Sequence, residues 1–365
     1  MGSLVLDSIT IENFRAFQRL NINQFQRVNL VVGKNNVGKS TLLEAIRLYA
    51  YRGSIDILWQ ILEGRDEGRR TNAAMSVGSN PDDETTQDQL SVIKSLFYGR
   101  QTIKARSSKA VIGPAGADEL RLSLWVEPYT HSQLPLLENA HLDDYALHVT
   151  YGRMDLGLHP LSRPVSRRTG MYVELPAIPC VTIPITGIPA AQIEKWWDAI
   201  ALTPSEADVL DALRIISPQV ERLSLIARRG NRTYPIVRLQ GMDEPVPLRS
   251  LGEGMVRLFW IALALANSKN GILLIDEVDT GLHYSVQSLV WKLIFETAER
   301  LNVQVFATTH SQDCIKAFQK SSRAQNEEGM LISLRRRKDN PNEIVSILYD
   351  EDKLEIATQE HIEVR

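Results

Sequence analysis

Short apolar runs bounded by turn residues recur along this chain, and in its last third they alternate with helical periods. Val28-Asn29-Leu30-Val31-Val32 is rich in β-branched residues on both faces, the pattern of a buried parallel strand. Leu42, Leu43, Ile46 and Ala50 follow at helical spacing, which predicts a helix from Thr41 to Ala50. Gly271-Ile272-Leu273-Leu274-Ile275 and Val303 to Ala307 repeat the buried-strand pattern. Between them, His283 to Arg300 predicts an amphipathic helix with Val286, Leu289, Val290, Leu293 and Ile294 on one face. Gly252 to Asn267 reads as a mostly buried helix. Leu331 to Leu334 and Ile344 to Tyr349 predict two strands around the basic turn Arg335-Arg336-Arg337-Lys338. That order predicts an α/β sheet with its ligand at the C-terminal ends of the strands.

The first half is patterned differently. Leu4 to Ile11 predicts a first strand, and Asn13-Phe14-Arg15-Ala16-Phe17 a turn towards Val28. Gly64 to Gln89 is polar and reads as a surface loop, followed by a short amphipathic helix over Leu90 to Tyr98. Leu120, Leu122, Leu124 and Val126 alternate with Arg121, Ser123, Trp125 and Glu127, and Tyr145 to Tyr151 repeats the alternation. Leu158 to Thr169 reads as a loop, with extended pieces at 171–173 and 180–185. Helical patterning covers Ile193 to Ile200 and resumes after Thr203-Pro204-Ser205-Glu206, where proline suits a first turn. Leu223 to Arg228 and Tyr234 to Leu239 predict two more strands. No repeat and no sustained heptad appears, which excludes a long coiled coil.

The junction after Val32 carries the chemistry. Gly33-Lys34-Asn35-Asn36-Val37-Gly38-Lys39-Ser40, followed by Thr41, fits G-x-x-x-x-G-K-[ST] between a strand and a helix. Backbone N–H groups of such a loop converge on the α- and β-phosphates. Lys39 would reach the β/γ-phosphates, and the Ser40 hydroxyl would bind Mg²⁺. Asp276 ends an apolar strand and is placed as the second Mg²⁺ holder, with Glu277 beside it as candidate general base. His310, at the end of the next strand, is placed to donate a hydrogen bond towards the γ-phosphate.

Together, Gly33 to Thr41, Asp276-Glu277 and Thr309-His310-Ser311 resemble the ABC-type ATPase heads of the SMC, RecF and OLD group. Asn13 to Phe17 is similar to the opening turn of that group. Closer still are compact bacterial AAA-family ATPases of ABC type, such as the ATPase subunits of the anti-phage system PARIS. The resemblance covers the first ~50 residues and nearly everything after Ser250. It implies a P-loop NTPase fold with a mixed β-sheet, an antiparallel β region and a helical signature lobe. One domain would have lobe I near 1–160 plus 268–350, and lobe II near 161–267. Leu251, Gly252, Glu253 and Gly254 stand at the signature position, which in this family contacts the γ-phosphate of a second subunit. Gly252 replaces the usual signature serine, Glu253 adds a negative charge, and His283 replaces the family's aspartate. Gln87, Gln89 and Gln101 are candidates for the Q-loop glutamine. Arg15 has two readings, one approaching the nucleotide and one supporting its turn.

The function implied is hydrolysis of ATP with Mg²⁺, in an ATP-dependent homo-oligomer that regulates a separate effector. Anti-phage defence is the expected setting, and a DNA-repair or DNA-tethering ATPase of the RecF or SMC kind is the alternative. OLD proteins add a Toprim nuclease after the head, and with the given sequence ending at Glu363-Val364-Arg365 none is expected here. The net charge of −3 gives nucleic-acid binding no support, though local basic faces stay open. With two distant cysteines, Cys180 and Cys314, and no long apolar run or leader pattern, the expected setting is a reducing cytoplasm without membrane contact. His131, His141, His148 and His159, with Asp143-Asp144, match no metal-ligand spacing and read as structural. Trp196-Trp197 reads as packing rather than a base-stacking platform. The basic turn at 335–338 reads as a solvated hairpin tip, with contact to nucleic acid or a partner as its alternative.

Overall fold

A computed structural model describes residues 3–67, 91–100, 109–128, 145–160, 173, 175–228, 232–324 and 329–350. Strands β1 (Ile9–Phe14) and β2 (Phe17–Ile22) form a hairpin, followed by β3 (Val28–Val32), α1 (Lys39–Ala50) and α2 (Ile55–Glu63). Strands β4 (Ala110–Gly113), β5 (Leu122–Pro128), β6 (Tyr145–Tyr151), β7 (Met154–Pro160) and β8 (Cys180–Ile183) come next. Helices α3 (Ala190–Ile200) and α4 (Pro204–Arg214) lead to β9 (Val220–Arg228), β10 (Arg232–Leu239) and β11 (Val246–Pro247). The last third runs α5 (Glu253–Ala266), β12 (Ile272–Ile275), α6 (Tyr284–Leu301), β13 (Gln304–Thr308), α7 (Gln312–Ala324), β14 (Gly329–Arg336) and β15 (Ile344–Tyr349).

The central sheet has the order β15-β14-β3-β13-β12-β8. Its strands are parallel except β15, which pairs antiparallel with β14. Because alternate residues of a strand face opposite sides, each parallel strand feeds two cores. Leu30, Leu273, Ile275, Val305 and Leu331 join the cluster under α3 to α7. Val31, Ile272, Leu274, Phe306 and Ile332 join the cluster under α1, α2 and the second sheet. That second sheet, β2-β1-β4-β5-β6-β7, is antiparallel throughout. A small antiparallel sheet, β11-β10-β9, packs with α3 and α4 against α5.

Several sequence readings change. The first strand starts at Ile9, and a two-residue turn at Arg15-Ala16 returns the chain as β2. β5 starts at Leu122, because 118–120 is a 3₁₀ turn. β7 runs through Leu158 to Pro160, where a loop was expected. Helices α2 and α7 add to the expected elements, with Ser54 and Ser311 preceding them as capping residues. Strand β8 lies within the 161–267 segment assigned to lobe II, yet it hydrogen-bonds to β12 in the central sheet. Residues 68–89 of the loop expected at 64–89, Leu90 of the expected helix and residues 171–172 of the extended piece at 171–173 lie outside the described residues.

Two buried amides tie the segments before β1 and β3 to β13. Gln304 is 1 % exposed; its Oε1 accepts from Leu6 N–H (2.9 Å) and its Nε2 donates to the carbonyls of Leu6 (2.8 Å) and Gln26 (3.2 Å). Asn29 donates to the carbonyls of Gln26 and Val305. Replacing Gln304 by alanine leaves the Leu6 N–H and carbonyl buried without partners, which costs about 2–4 kcal/mol. Urea unfolding should show this as a lower midpoint at unchanged slope; a loss below about 0.5 kcal/mol would exclude this role for Gln304.

Candidate functional site

The loop between β3 and α1 owes its shape to residues that accept positive φ. Gly33 sits at φ +148°, Asn36 at +61° and Gly38 at +86°. A Cβ on Gly38 would lie 2.7 Å from the Phe17 ring, and one on Gly33 2.5 Å from the Leu334 carbonyl oxygen. Glycine is therefore required at both positions on steric grounds as well as for φ. Gly38 ends the loop as the N-cap of α1, so the first helical N–H groups face the loop. Lys39 is buried in this ring: Nζ donates to the carbonyls of Gly33 (2.9 Å) and Lys34 (3.1 Å). Burial lowers its pKa, against the pull of Asp276 and Glu277. Lys34, Asn35 and Asn36 are exposed, whereas Val37 and Thr41 are buried.

Asp276 leaves β12 between two hydroxyls. Its Oδ2 accepts from Ser40 Oγ at 2.9 Å and its Oδ1 from Thr308 Oγ1 at 2.6 Å. Thr308 Oγ1 also accepts the Glu277 N–H at 2.8 Å. Glu277 is left-handed, φ +48°, and that bend separates its side chain from that of Asp276. The Asp276 and Glu277 carbonyls both accept from Arg257 Nη2, at 2.6 and 2.8 Å. Arg257 is 3 % exposed on α5, and burial pushes its guanidinium down to about 10 against Asp276, Asp279 and Glu277.

His310 lies between the cation and the acid. Its Nδ1 is 3.4 Å from Lys39 Nζ and its Nε2 is 3.6 Å from Glu277 Oε1. A charged lysine only donates, so Nδ1 accepts and the imidazole proton sits on Nε2. The Ser40–Asp276 pair also passes a fit test for Mg²⁺. Neighbouring oxygens on an octahedral ion at ~2.1 Å stand about 3.0 Å apart, close to the 2.9 Å between Ser40 Oγ and Asp276 Oδ2. Thr308 and Arg257 were not singled out from sequence, and only the adjacency of Thr308 to His310 gave any signal.

Lys39, Ser40, Asp276, Glu277 and His310 line an open cavity of about 400 Å³. Its far wall holds Arg15, Arg65, Glu67, Phe97 and Arg100. Arg15 has φ +49°, and its guanidinium pairs with Glu44 (3.1 Å) and Glu67 (2.8 Å). Glu44, which also pairs with Arg65 at 2.6 Å, has its pKa raised by burial in spite of both arginines. None of the signature residues Leu251 to Gly254 lines this cavity. Gly252 is the N-cap of α5 at φ +101°, open to solvent, and Glu253 pairs with Arg249 at 3.2 Å. Gly254 lies against Gly281, whose carbonyl oxygen would sit 2.8 Å from any added Cβ.

His148 pairs with Glu127 and Asp155, and burial holds His159 down to about 4. Among the described residues no group of three His, Cys, Asp or Glu is placed to hold a metal. His131, His141, Asp143, Asp144, Gln87, Gln89 and Gln101 lie outside them. No helix of the described residues is long and apolar enough to cross a membrane.

Strand, P-loop, acidic strand end and histidine in this arrangement define a P-loop NTPase of the ABC-type head class. Residues 5–95 match the family model "AAA ATPase domain", and 213–313 match "AAA domain, putative AbiEii toxin, Type IV TA system". An "ATP/GTP phosphatase" of Helicobacter pylori is 24% identical over 342 residues, covering 86% of this chain and 87% of the relative. "DNA replication and repair protein RecF" of Listeria monocytogenes is 35% identical over 79 residues, 20% of this chain and 21% of RecF. A crystal structure of an SmcHead bound to the C-winged helix domain of ScpA shares the fold, with TM-score 0.51 and 13% identity over 95% of this chain and 99% of that one. Two segments of the chain thus match AAA-type ATPase models, and its fold is similar to that of an SMC head.

Arg257 generates a prediction. Its loss takes the guanidinium donor from the Asp276 carbonyl and leaves the Glu277 carbonyl with the Thr280 N–H alone, and bonds of this charged kind contribute about 1.5–3 kcal/mol. Arg257→Ala should therefore cut ATP turnover about tenfold or more while nucleotide affinity stays within about threefold. A turnover above half the wild-type value would show that the Asp276-Glu277 bend holds without it.

Proposed function

We propose that the chain hydrolyses ATP with Mg²⁺ at this cavity, in an ATP-bridged pair of chains that switches a separate effector. The observation that carries the reading is the hydroxyl–carboxylate–hydroxyl chain Ser40–Asp276–Thr308, with Glu277 and His310 beside Lys39. Gly33, Lys34, Asn35, Asn36, Val37, Gly38 and Thr41 form the phosphate cradle. Lys39 exchanges its two carbonyl partners for phosphate oxygens. Ser40 and Asp276 would hold Mg²⁺, which would supply charge neutralisation for the phosphates. Glu277 takes a proton from the attacking water as the γ-phosphorus–oxygen bond to ADP breaks. His310 donates Nε2–H to a γ-oxygen, and ADP and phosphate leave. Arg15 we assign to the cavity wall, since two carboxylates already hold it.

The paired state rests on the signature loop. It caps an exposed helix N-terminus, stands away from its own chain's cavity, and has the charge of Glu253 offset by Arg249. A partner's triphosphate fits that end by charge. In our division, lobe II covers about 161–267 without strand β8, which goes with lobe I. A separate effector is supported by the similar SMC head, which is bound to part of another protein. The toxin–antitoxin description of one family model supports a setting in anti-phage defence or a related system. The RecF match favours DNA tethering as the alternative, which stimulation of turnover by DNA would support.

Lys39→Ala should abolish tight binding of a fluorescent ATP analogue. Glu277→Gln should keep binding and lose about 10²–10⁴-fold in turnover. Unchanged affinity in the first, or more than a third of wild-type turnover in the second, would reject the assigned roles.

A shared site is tested by complementation. Lys39→Ala and Gly254→Asp are each expected to be inactive, and their mixture should recover part of the ATPase activity through mixed dimers with one intact site. Mixed dimers that form yet stay inactive would exclude a site built from two chains.

A further inference from the structure

The basic turn Arg335-Arg336-Arg337-Lys338 takes no part in the chemistry above, yet the β14–β15 loop it opens touches both walls of the cavity's mouth. Arg336 ends β14, the strand parallel to β3, and the β14–β15 loop begins there. Its Nη2 donates to the Asn36 carbonyl at 3.0 Å, and its Nη1 to the Pro341 carbonyl of its own loop at 2.8 Å. From the other wall, the Tyr98 hydroxyl donates to the Asn342 carbonyl of the same loop at 3.3 Å. Asn36 and the neighbours of Tyr98, Phe97 and Gly99, line the cavity.

The Asn36 contact acts on the phosphate cradle through peptide geometry. The peptide bonds are trans, so the Val37 N–H points away from the Asn36 oxygen. A guanidinium that holds this oxygen towards the hairpin aims the Val37 N–H back across the loop, the direction an anion nest requires. Asn36, at φ +61°, sits in the sparsely populated left-handed region, so a contact that holds its carbonyl supports a backbone conformation with weak local preference. Beneath it, Gly33 meets the Leu334 carbonyl on the same strand, so the hairpin braces the loop at two points.

The geometry points to Arg336 as a positioning residue for nucleotide affinity: the β14–β15 hairpin ties the P-loop at Asn36 to the 97–100 wall at Asn342 and presets the cavity. This rests on the cavity binding nucleotide. Arg336 contacts the cradle from outside and touches no reacting atom. Its effect therefore falls on binding and leaves the chemical step alone.

Binding of a fluorescent ATP analogue with Mg²⁺ and steady-state turnover are measured on the full chain. The variants are Arg336→Ala, Arg336→Lys and Lys338→Ala, with Lys39→Ala as reference. Arg336→Ala should weaken binding about three- to tenfold and raise KM in parallel, with kcat within twofold and the thermal midpoint unchanged. Arg336→Lys keeps one donor and should recover part of the affinity. Lys338→Ala removes the same charge from the same exposed turn and should bind like wild type. Wild-type affinity in Arg336→Ala, or an equal loss in Lys338→Ala, overturns the proposal, the latter because bulk charge would then explain the effect. Equal binding by wild type and Lys39→Ala overturns the nucleotide reading and this proposal with it.

Discussion

The Asp276 carboxylate joins three chain segments that lie far apart in sequence. It accepts from Ser40 at the start of α1 and from Thr308 at the end of β13, while its own strand is β12. Both donors are hydroxyls, whose protons rotate to suit an acceptor, so the pair adapts when a cation takes a place beside it. Thr308 in turn holds the Glu277 N–H, and Arg257 holds both carbonyls. The bend at Glu277 depends on these contacts, because a left-handed glutamate has no local reason to persist. Loss of the carboxylate would release the P-loop serine, the acid and the β13 end together.

That arrangement is fixed in space by a sheet buried on both faces. Odd and even residues of β3, β12, β13 and β14 enter different cores, so a one-residue slip would exchange them. Trp291, Phe295 and Phe318 pack against one another between α6 and α7 on one side. Phe25 and Phe306 meet edge-on at 4.9 Å on the other. Register and strand order thus bring Lys39, Asp276, Glu277 and His310 to one edge, since the P-loop leaves β3, the acids leave β12 and the histidine leaves β13.

The walls of the cavity are held by charge instead. Arg65, Glu44, Arg15, Glu67 and Arg100 alternate in sign along the far side, with Ser95 donating to Glu67 at 3.1 Å. Pairs of this kind contribute little where solvent reaches them and more towards the buried Arg15. A rigid apolar floor therefore meets a polar rim that can exchange partners.

What the sequence determined is what rests on local stereochemistry and period. Gly33 and Gly38 are required by φ, the apolar runs by burial on both faces, the 3.6-residue spacing of α6 by one-sided packing, and the denser apolar patterns of α1 and α5 by burial over most of their surface. The P-loop, Asp276, Glu277 and His310 were legible because each sits where such a run stops. Tertiary structure decided the rest. It placed β8 in the central sheet and made β2, α2 and α7 regular elements, because their burial comes from neighbours distant along the chain. It gave Arg15 two carboxylate partners, where its turn alone allowed two readings. It also set the long-range partners Thr308 with Asp276, Arg257 with two carbonyls and Arg336 with Asn36, 300 residues away. A hydrogen bond of that kind leaves no period in the sequence; only the packed sheet decides which donor reaches which carbonyl.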